Sequence, residues 1–201
     1  MKIKKINLKF TNINKVFNGF NKVKRYKFQH KLFDSSWSNI ISREILITKN
    51  AVAILPYDKV KNKVILIKQF RLGAILSNYN PFQIEIIAGL VEKSDKDLKS
   101  AVIREAKEEA GIEVKYKKIQ SIRDVLNSSG STNESTSIFF CECTFKKLKK
   151  IRGNFNEDEN IKVLELSPRK AFELLFKKKI HSVNTIIALE WFKDYLKKKN
   201  R

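Results

Sequence analysis

The spacing of apolar residues changes along the chain and divides it into two parts. Up to about residue 45, apolar and polar residues alternate loosely, with turn signals at Asn18-Gly19 and at residues 34–36, which predicts short antiparallel strands. Denser apolar runs follow at residues 45–47, 51–55 and 64–67, and these predict buried strands. We therefore expect an N-terminal β layer over residues 1–45 and a second domain over residues 46–201.

The second domain alternates strands with helices. An apolar run at residues 84–89 stops at Gly89, and apolar residues then recur at intervals of three and four until Gly111, a C-terminal stop signal. Helices are predicted at about residues 96–110, 168–176 and 182–199, and further strands near residues 112–124, 135–145 and 161–166. This order predicts an α/β fold, an α/β/α sandwich on a mixed sheet preceded by a small antiparallel β layer.

Composition narrows the class of protein. The chain has 201 residues, of which 42% are hydrophobic, enough to bury a sizeable core. No apolar stretch approaches the length of a membrane span, and the first residues lack the pattern of a signal peptide. Only two cysteines occur, Cys141 and Cys143, and we expect no disulfide between them. These features predict a cytoplasmic protein without a membrane partner.

The charge is strongly basic. A formal net charge of +21 is typical of nucleic-acid binders, but 34 of the 42 basic residues are lysine, the residue that A- and T-rich codons specify. The lysine runs also lack interleaved aromatic residues on which bases would stack. Two interpretations stay open: solvated faces that follow genomic composition, and a functional surface for a polyanion.

Three glutamates carry the candidate chemistry. On a helix, Glu105 and Glu109 are four residues apart and share a face, and Glu108 lies one turn from Glu105. Such a set suits a solvated helix surface, but beside a glycine loop it also forms an oxygen-only site for a hard divalent cation. With only two histidines in the chain, Mg²⁺ or Mn²⁺ is the expected metal.

The segment from Gly89 to Ile112 resembles the signature of the Nudix hydrolases, Gly-x5-Glu-x7-Arg-Glu-U-x-Glu-Glu-x-Gly-U, where U is aliphatic. The second half, from Arg104 onward, fits at every fixed position. The first half differs, because Asp95 stands in place of glutamate and eight residues separate it from Arg104. The resemblance implies a Nudix-type sandwich and leaves the role of Asp95 open.

Further segments along nearly the whole chain are similar to the bacterial ADP-ribose pyrophosphatase subgroup of that family. The likeness implies Mg²⁺-dependent hydrolysis of ADP-ribose to AMP and ribose 5-phosphate, in a homodimer that exchanges its N-terminal β layers. It implies structural roles for Gly89, Arg104 and Gly111. By position, the likeness implies that the metal ligands are Ala88, Glu105, Glu109 and Glu159. It implies that Glu157 is the catalytic base and that Glu108 also takes part in catalysis. The implied substrate-binding residues are Phe20, which would stack on adenine, Arg43 and Glu44, which would come from the partner subunit, and Arg71, Leu90, Ser128, Gly130 and Glu134.

Other functions remain open at this point. ADP-ribose enzymes of the family commonly carry a proline where this chain has Ser129, so another nucleoside diphosphate derivative is an alternative: a nucleotide sugar, a dinucleotide or a capped RNA. A non-enzymatic nucleic-acid-binding Nudix protein is a further alternative. The intact glutamate set argues against it, because clustered acids repel a polyanion.

Overall fold

A computed structural model describes residues 7–154 and 158–199 of the chain. Contacts within this part divide it into two compact units. The first contains residues up to 49 together with residues 126–135, and the second contains residues 50–125 and those from 136 onward.

The first unit is a three-stranded antiparallel sheet. Its strands are β1 (Leu8–Asn18), β2 (Lys22–His30) and β3 (Ile41–Ile47), in the order β1-β2-β3. Two register shifts interrupt the pairing of β1 with β2. The predicted N-terminal β layer is therefore present, and its strands are longer than the loose alternation indicated.

Residues 126–135 join this sheet although they lie far away in the sequence. The N–H of Leu46 donates to the carbonyl of Ser131 at 2.8 Å. The side chain of Asn133 accepts the N–H of Thr48 at 2.8 Å and donates to the carbonyl of Thr48 at 3.1 Å. A loop of the later chain thus completes the edge of β3.

The second unit contains a mixed eight-stranded sheet. The strands are β4 (Ala51–Asp58), β5 (Lys63–Phe70), β6 (Phe82–Glu85), β7 (Ile87–Leu90), β8 (Ile119–Leu126), β9 (Ser135–Glu142), β10 (Ile151–Arg152) and β11 (Ile161–Leu166). Strand β4 runs parallel to β9 and antiparallel to β5 and β7. The path through the sheet is β10-β11-β5-β4-β9-β8, with β6 paired to β5 and β7 paired to β4.

Helices cover both faces of this sheet. They are α1 (Leu72–Leu76), α2 (Leu98–Glu105), α3 (Pro168–Phe176) and α4 (Val183–Lys199). Alternate residues of β5 separate the two cores, because Ile65 and Ile67 pack with α2 while Val64 and Leu66 pack with α3 and α4. The α/β sandwich on a mixed sheet is confirmed.

Several element boundaries differ from the predictions. The helix predicted to end at Ala110 is α2 followed by a π-helical turn, Ala106–Ala110, and Gly111 ends it in the left-handed region with φ 68°. The strand predicted near residue 112 begins only at Ile119, after a 3-10 turn. The single run at residues 84–89 is two strands, because the N–H of Ile86 donates to Thr185 Oγ1 instead of a strand neighbour.

Two further observations concern membrane-spanning helices and the cysteines. Among the described residues, no helix combines the length and the apolar character needed to cross a membrane. Both cysteines carry free thiols, as expected.

Candidate active site

The predicted glutamates meet the end of a strand in the second unit. Strand β7 brings Ala88 and Gly89 against α2 and the π-helical turn that follows it. Glu109 is only 2% exposed, and its Oε2 accepts the backbone N–H of Ala88 at 3.1 Å. A Cβ on Gly89 would lie 2.0 Å from Oε1 of Glu105, so the carboxylate occupies the space that glycine leaves open.

Burial changes the acidity of both carboxyls. Removal from water raises the pKa of Glu105 to about 7, and Arg104 only partly offsets it. Burial also raises the pKa of Glu109 well above its usual value, against the hydrogen bond from Ala88. The charge of Glu159 contributes to both shifts, which places Glu159 within electrostatic range of the pair.

Arg104 is the centre of a hydrogen-bond network. Its Nε donates to Oδ1 of Asp95 at 3.2 Å and its Nη2 to Oδ2 at 3.0 Å. Its Nη1 donates to Glu105 at 2.7 Å and to Glu108 at 3.2 Å. The carbonyl of Leu90 accepts a further bond from Nη2 at 2.9 Å. One guanidinium therefore ties the glycine loop to two helix glutamates.

Asp95 has a geometric role that the sequence left open. Its two oxygens take the paired bonds from Arg104, and Oδ2 also accepts the N–H of Glu92 at 2.8 Å. These contacts, above all with Arg104, hold the pKa of Asp95 below its usual value. An aspartate is one methylene shorter than a glutamate, yet Asp95 reaches the guanidinium of Arg104 with both oxygens.

Glu159 makes two hydrogen bonds to Asn154. Its Oε2 accepts the N–H of Asn154 at 3.0 Å, and its own N–H donates to the carbonyl of Asn154 at 3.2 Å. Gly153 has φ 118°, and a Cβ there would lie 2.6 Å from the carbonyl oxygen of Glu159. The predicted base, Glu157, lies outside the described residues.

The predicted substrate residues lie in both units. In the second unit, Arg71 follows β5, and the charges of Glu109 and Glu159 act on its pKa. In the first unit, Phe20 is 99% exposed in the turn after β1, and Glu44 pairs with Arg25 at 2.5 Å. Arg43, its neighbour on β3, donates to the carbonyl of Ser42 at 2.8 Å.

The remaining predicted residues belong to the loop of residues 126–135. The carbonyl of Ser128 accepts the N–H groups of Ser131 and Thr132, each at 2.9 Å. Glu134 accepts a side-chain hydrogen bond from Asn127. A Cβ on Gly130 would meet no heavy atom within 4 Å, so its backbone is open on that side.

The donors gathered around Gly89 fit a hard cation. Every candidate side chain offers carboxylate oxygen, the donor that Mg²⁺ and Mn²⁺ prefer. In residues 7–154 and 158–199, no three acidic, histidine or cysteine side chains are already grouped as a metal-ligand set. One carboxylate oxygen of Glu105 accepts a hydrogen bond from Arg104, and one of Glu159 accepts the N–H of Asn154.

Fold and site together define an α/β sandwich protein with a carboxylate centre where a glycine-containing strand meets a helix. The profile of the NUDIX domain matches residues 48–186, well over half of the chain. The chain belongs to the Nudix family.

Several known proteins are similar to most of the chain. An ADP-ribose pyrophosphatase of Haemophilus influenzae is 36% identical over 179 residues, 88% of this chain and 81% of that protein. One of Escherichia coli strain K12 is 34% identical over 176 residues, 88% and 83% of the two chains. A GDP-mannose pyrophosphatase of Salmonella typhimurium is 30% identical over 150 residues, 74% of this chain and 76% of that protein.

The fold has a solved counterpart. A crystal structure of an ADP compounds hydrolase superposes with a TM-score of 0.70 and covers 97% of each chain, at 16% sequence identity. At that identity, the likeness concerns the fold alone.

Sequence reasoning did not single out two polar residues of this region, Gln69 and Glu85. Glu85 accepts hydrogen bonds from the side chains of both Arg71 and Gln69. A signal was present, because polar side chains at positions 69 and 71 continue the alternation of Ile65 and Ile67 on a face that is otherwise apolar.

Proposed function

We propose that this protein hydrolyses the pyrophosphate bond of ADP-ribose and releases AMP and ribose 5-phosphate. The named relatives that match 88% of the chain at 34–36% identity are ADP-ribose pyrophosphatases. The observation that carries the proposal is the pair of buried carboxylates, Glu105 and Glu109, held against Ala88 and Gly89. Burial of two neighbouring acids is costly, which favours a functional reason for keeping them.

Divalent cations are the ligands that this arrangement suits. We assign Glu105, Glu109, Glu159 and the carbonyl of Ala88 to hold Mg²⁺ or Mn²⁺, with Glu108 as a further carboxylate of the site. When bound, such a cation neutralises phosphate charge and lowers the pKa of water. The positive charge of the cation would then offset the cost of ionising these buried glutamates.

The residues of the chain take the remaining roles. Glu157 is proposed as the base that accepts a proton from the attacking water. The water oxygen bonds to one phosphorus while the bond from that phosphorus to the bridging oxygen breaks. The bridging oxygen stays on the other phosphate, so the products are AMP and ribose 5-phosphate. Arg104 keeps Glu105 and Glu108 in position through its hydrogen bonds.

Substrate contacts are proposed for the residues that the likeness to the family indicates. In the catalytic domain, residues 46–201 as predicted, Arg71 supplies positive charge beside the carboxylates and Leu90 lines the pocket. From the loop, Ser128, Gly130 and Glu134 contribute polar contacts. We assign Phe20 to stacking on the adenine ring, because its ring is almost fully exposed and aromatic faces stack well on bases.

A homodimer is part of the proposal. Strand β1 leaves Phe10 and Ile13 about half exposed, at 55% and 50%, and such an apolar face suits a second copy of the chain. The partner subunit would supply Arg43 and Glu44 to the site, through exchange of the layer of residues 1–45. The cytoplasm is the compartment that we propose, since both cysteines are free thiols.

A second candidate is a related substrate. The similarity to a GDP-mannose pyrophosphatase favours a nucleotide sugar, and Ser129 in place of the usual proline leaves room for a change of specificity. Dinucleotides and capped RNA contain the same phosphoric anhydride bond and belong in the same comparison.

The test is hydrolysis by the purified protein. ADP-ribose, GDP-mannose, other nucleotide sugars, a dinucleotide and a capped RNA are each supplied with Mg²⁺, with Mn²⁺ and with a chelator, and the products are separated by chromatography. We expect metal-dependent release of AMP and ribose 5-phosphate, fastest from ADP-ribose. Faster turnover of another compound would replace the substrate. No turnover together with salt-sensitive RNA binding would favour a nucleic-acid-binding protein.

A further inference from the structure

Three polar side chains lie on the face of the second unit's sheet against which α2 packs. Ile65 and Ile67 of β5 pack in the α2 core, and the alternation continues to Gln69 and to Arg71, whose backbone is still extended. Strand β6 pairs with β5 so that Glu85 lies opposite Ile67. Register alone therefore brings Glu85, Gln69 and Arg71 together.

Glu85 binds Arg71 through two nitrogens. Oε2 of Glu85 accepts hydrogen bonds from Nη2 of Arg71 at 2.8 Å and from Nε at 3.1 Å. The same oxygen accepts Nε2 of Gln69 at 3.0 Å. Glu85 is 14% exposed at its side chain and Gln69 is buried, whereas the side chain of Arg71 is 47% exposed, so the guanidinium has an open side. The carboxylate is thus fixed from one side and orients the guanidinium on the other.

The guanidinium of Arg71 keeps free N–H donors. Its pKa is affected by burial, then by Glu85, and also by Glu109 and Glu159, so these two carboxylates lie within electrostatic range. Glu85 uses Nε and one N–H of Nη2. Within residues 7–154 and 158–199, Nη1 makes no hydrogen bond to the protein. Three N–H groups are therefore available to an anion.

Such a position creates an electrostatic conflict. A divalent cation held by Glu109 and Glu159 would repel a guanidinium nearby, because like charges repel each other. The carboxylate of Glu85, paired with Arg71, offsets part of that repulsion. The fork geometry still leaves the N–H groups on Nη1 pointing away from Glu85.

We infer that Glu85, fixed by Gln69, is a positioning residue that allows Arg71 to contact the pyrophosphate of the substrate beside the metal-binding carboxylates. This inference rests on the proposed function for its substrate. It also makes a claim about metal binding that does not depend on turnover.

The experiment is a double-mutant cycle with Glu85→Gln and Arg71→Ala, read out by two binding titrations. The first measures ADP-ribose binding by calorimetry in a chelator, without metal. The second measures Mn²⁺ binding by electron paramagnetic resonance, without nucleotide. Glu173→Gln is the matched control, because Glu173 also holds basic side chains, Lys170 and Lys177, but on the surface of α3.

We expect Glu85→Gln to weaken ADP-ribose binding about tenfold, the loss of roughly one charge-assisted hydrogen bond. The same substitution should weaken Mn²⁺ binding severalfold, because the charge of Arg71 is then uncompensated. Removal of Arg71 should abolish the effect of Glu85→Gln on Mn²⁺, and the double variant should bind ADP-ribose as Arg71→Ala does. Glu85→Asp, which keeps the charge, should recover part of both affinities, and the control should bind like the wild type.

Two results would overturn the inference. One is unchanged Mn²⁺ and ADP-ribose binding in a folded Glu85→Gln variant. The other is a double variant whose losses are the product of the single ones, since the two residues would then act independently. If the wild type itself does not bind ADP-ribose, the proposed function fails, and the Mn²⁺ titrations still decide the role of Glu85.

Discussion

Glu105 and Glu109 illustrate what single residues do in this protein. Both carboxyls are buried next to each other, and burial raises the pKa of each. An acid in such surroundings stays partly protonated until positive charge arrives. In the proposed function, a bound cation would supply the positive charge that offsets the cost of burying these carboxylates.

Glu109→Gln separates these two effects. The amide oxygen can still accept the N–H of Ala88, and the loss of a buried carboxyl next to Glu105 removes a repulsion. We expect hydrolysis to fall roughly 100-fold or more, as for loss of a metal ligand, with a melting temperature that does not fall. Rates with saturating Mg²⁺ and thermal unfolding in a chelator check this. Near-normal turnover would remove Glu109 from the metal site.

The pH dependence of stability follows from Glu105. Its pKa is about 7 in the folded protein against an ordinary 4.5, so between these values the folded state holds a proton that the unfolded state has released. Stability contributed by Glu105 is therefore complete below pH 4.5 and is lost as the pH rises to about 7. The total is roughly 3 kcal/mol.

Urea unfolding of the metal-free protein between pH 4.5 and 8 measures this loss. The free energy of unfolding should decline less steeply with pH in Glu105→Gln than in the wild type, because the titrating group is gone. Groups remote from Glu105 cancel in the difference, whereas Glu109, whose pKa the charge of Glu105 raises, adds to the measured change. Parallel curves would show that Glu105 keeps an ordinary pKa.

At the scale of elements, the site depends on how strand β7 meets α2. The side chain of Asp97 caps α2 by accepting the N–H of Ser100 at 2.8 Å. The helix then widens into a π-helical turn, a distortion common at functional sites, before Gly111 ends it. Arg104 fastens this element to the preceding loop through Asp95 and Leu90. Hydrogen bonds to backbone groups therefore hold the strand and the helix close together, in addition to bonds between side chains.

Gly89→Ala tests that close approach. The new methyl group would overlap the Glu105 carboxylate, which must move away from the strand. We expect activity to fall roughly 10–100-fold, as for displaced metal ligands. Gly73→Ala in α1 is the control, because a Cβ there meets nothing within 4 Å and alanine favours helix. Equal activity of the two variants would contradict the assigned contact.

At the scale of the whole molecule, the chain is two units with different surfaces. The first unit exposes apolar side chains of β1, and the second carries the candidate active site. The net charge of +21 adds a long-range attraction for phosphates to any specific contact. The homodimer proposed above would cover the apolar side chains of β1.

Complementation between inactive variants tests the proposed exchange. A heterodimer of Arg43→Ala with Glu109→Gln, isolated through two different tags, would contain one intact site, formed by wild-type Glu109 and the partner subunit's Arg43. We expect about half of the wild-type activity, while each variant alone stays impaired. Sedimentation should give about twice the 23.5 kDa of one chain. Absence of any recovery in the heterodimer would place Arg43 in the site of its own subunit.

Local patterns in the sequence determined a large part of this structure. The periodicity of apolar residues predicted both the antiparallel layer and the sandwich. Helix α3 begins at Pro168 and ends at Phe176, as expected. The spacing of Glu105 and Glu109 placed both on one helix face, because that relation depends only on the helical repeat. Boundaries such as the break at Ile86 were missed, since the partner of its N–H, Thr185, is remote in the sequence.

What only the tertiary structure decided is which distant residues meet. Asp95 reaches Arg104, Glu85 holds Arg71, and Asn133 pairs with Thr48, each across 9 to 85 residues. No periodicity encodes such pairs, because strand register, loop length and burial together determine which side chains come into contact. The sequence by itself therefore determined the elements and the helix that carries the glutamates, whereas their pKa values and the contacts of Arg71 and Asp95 follow from burial and long-range packing.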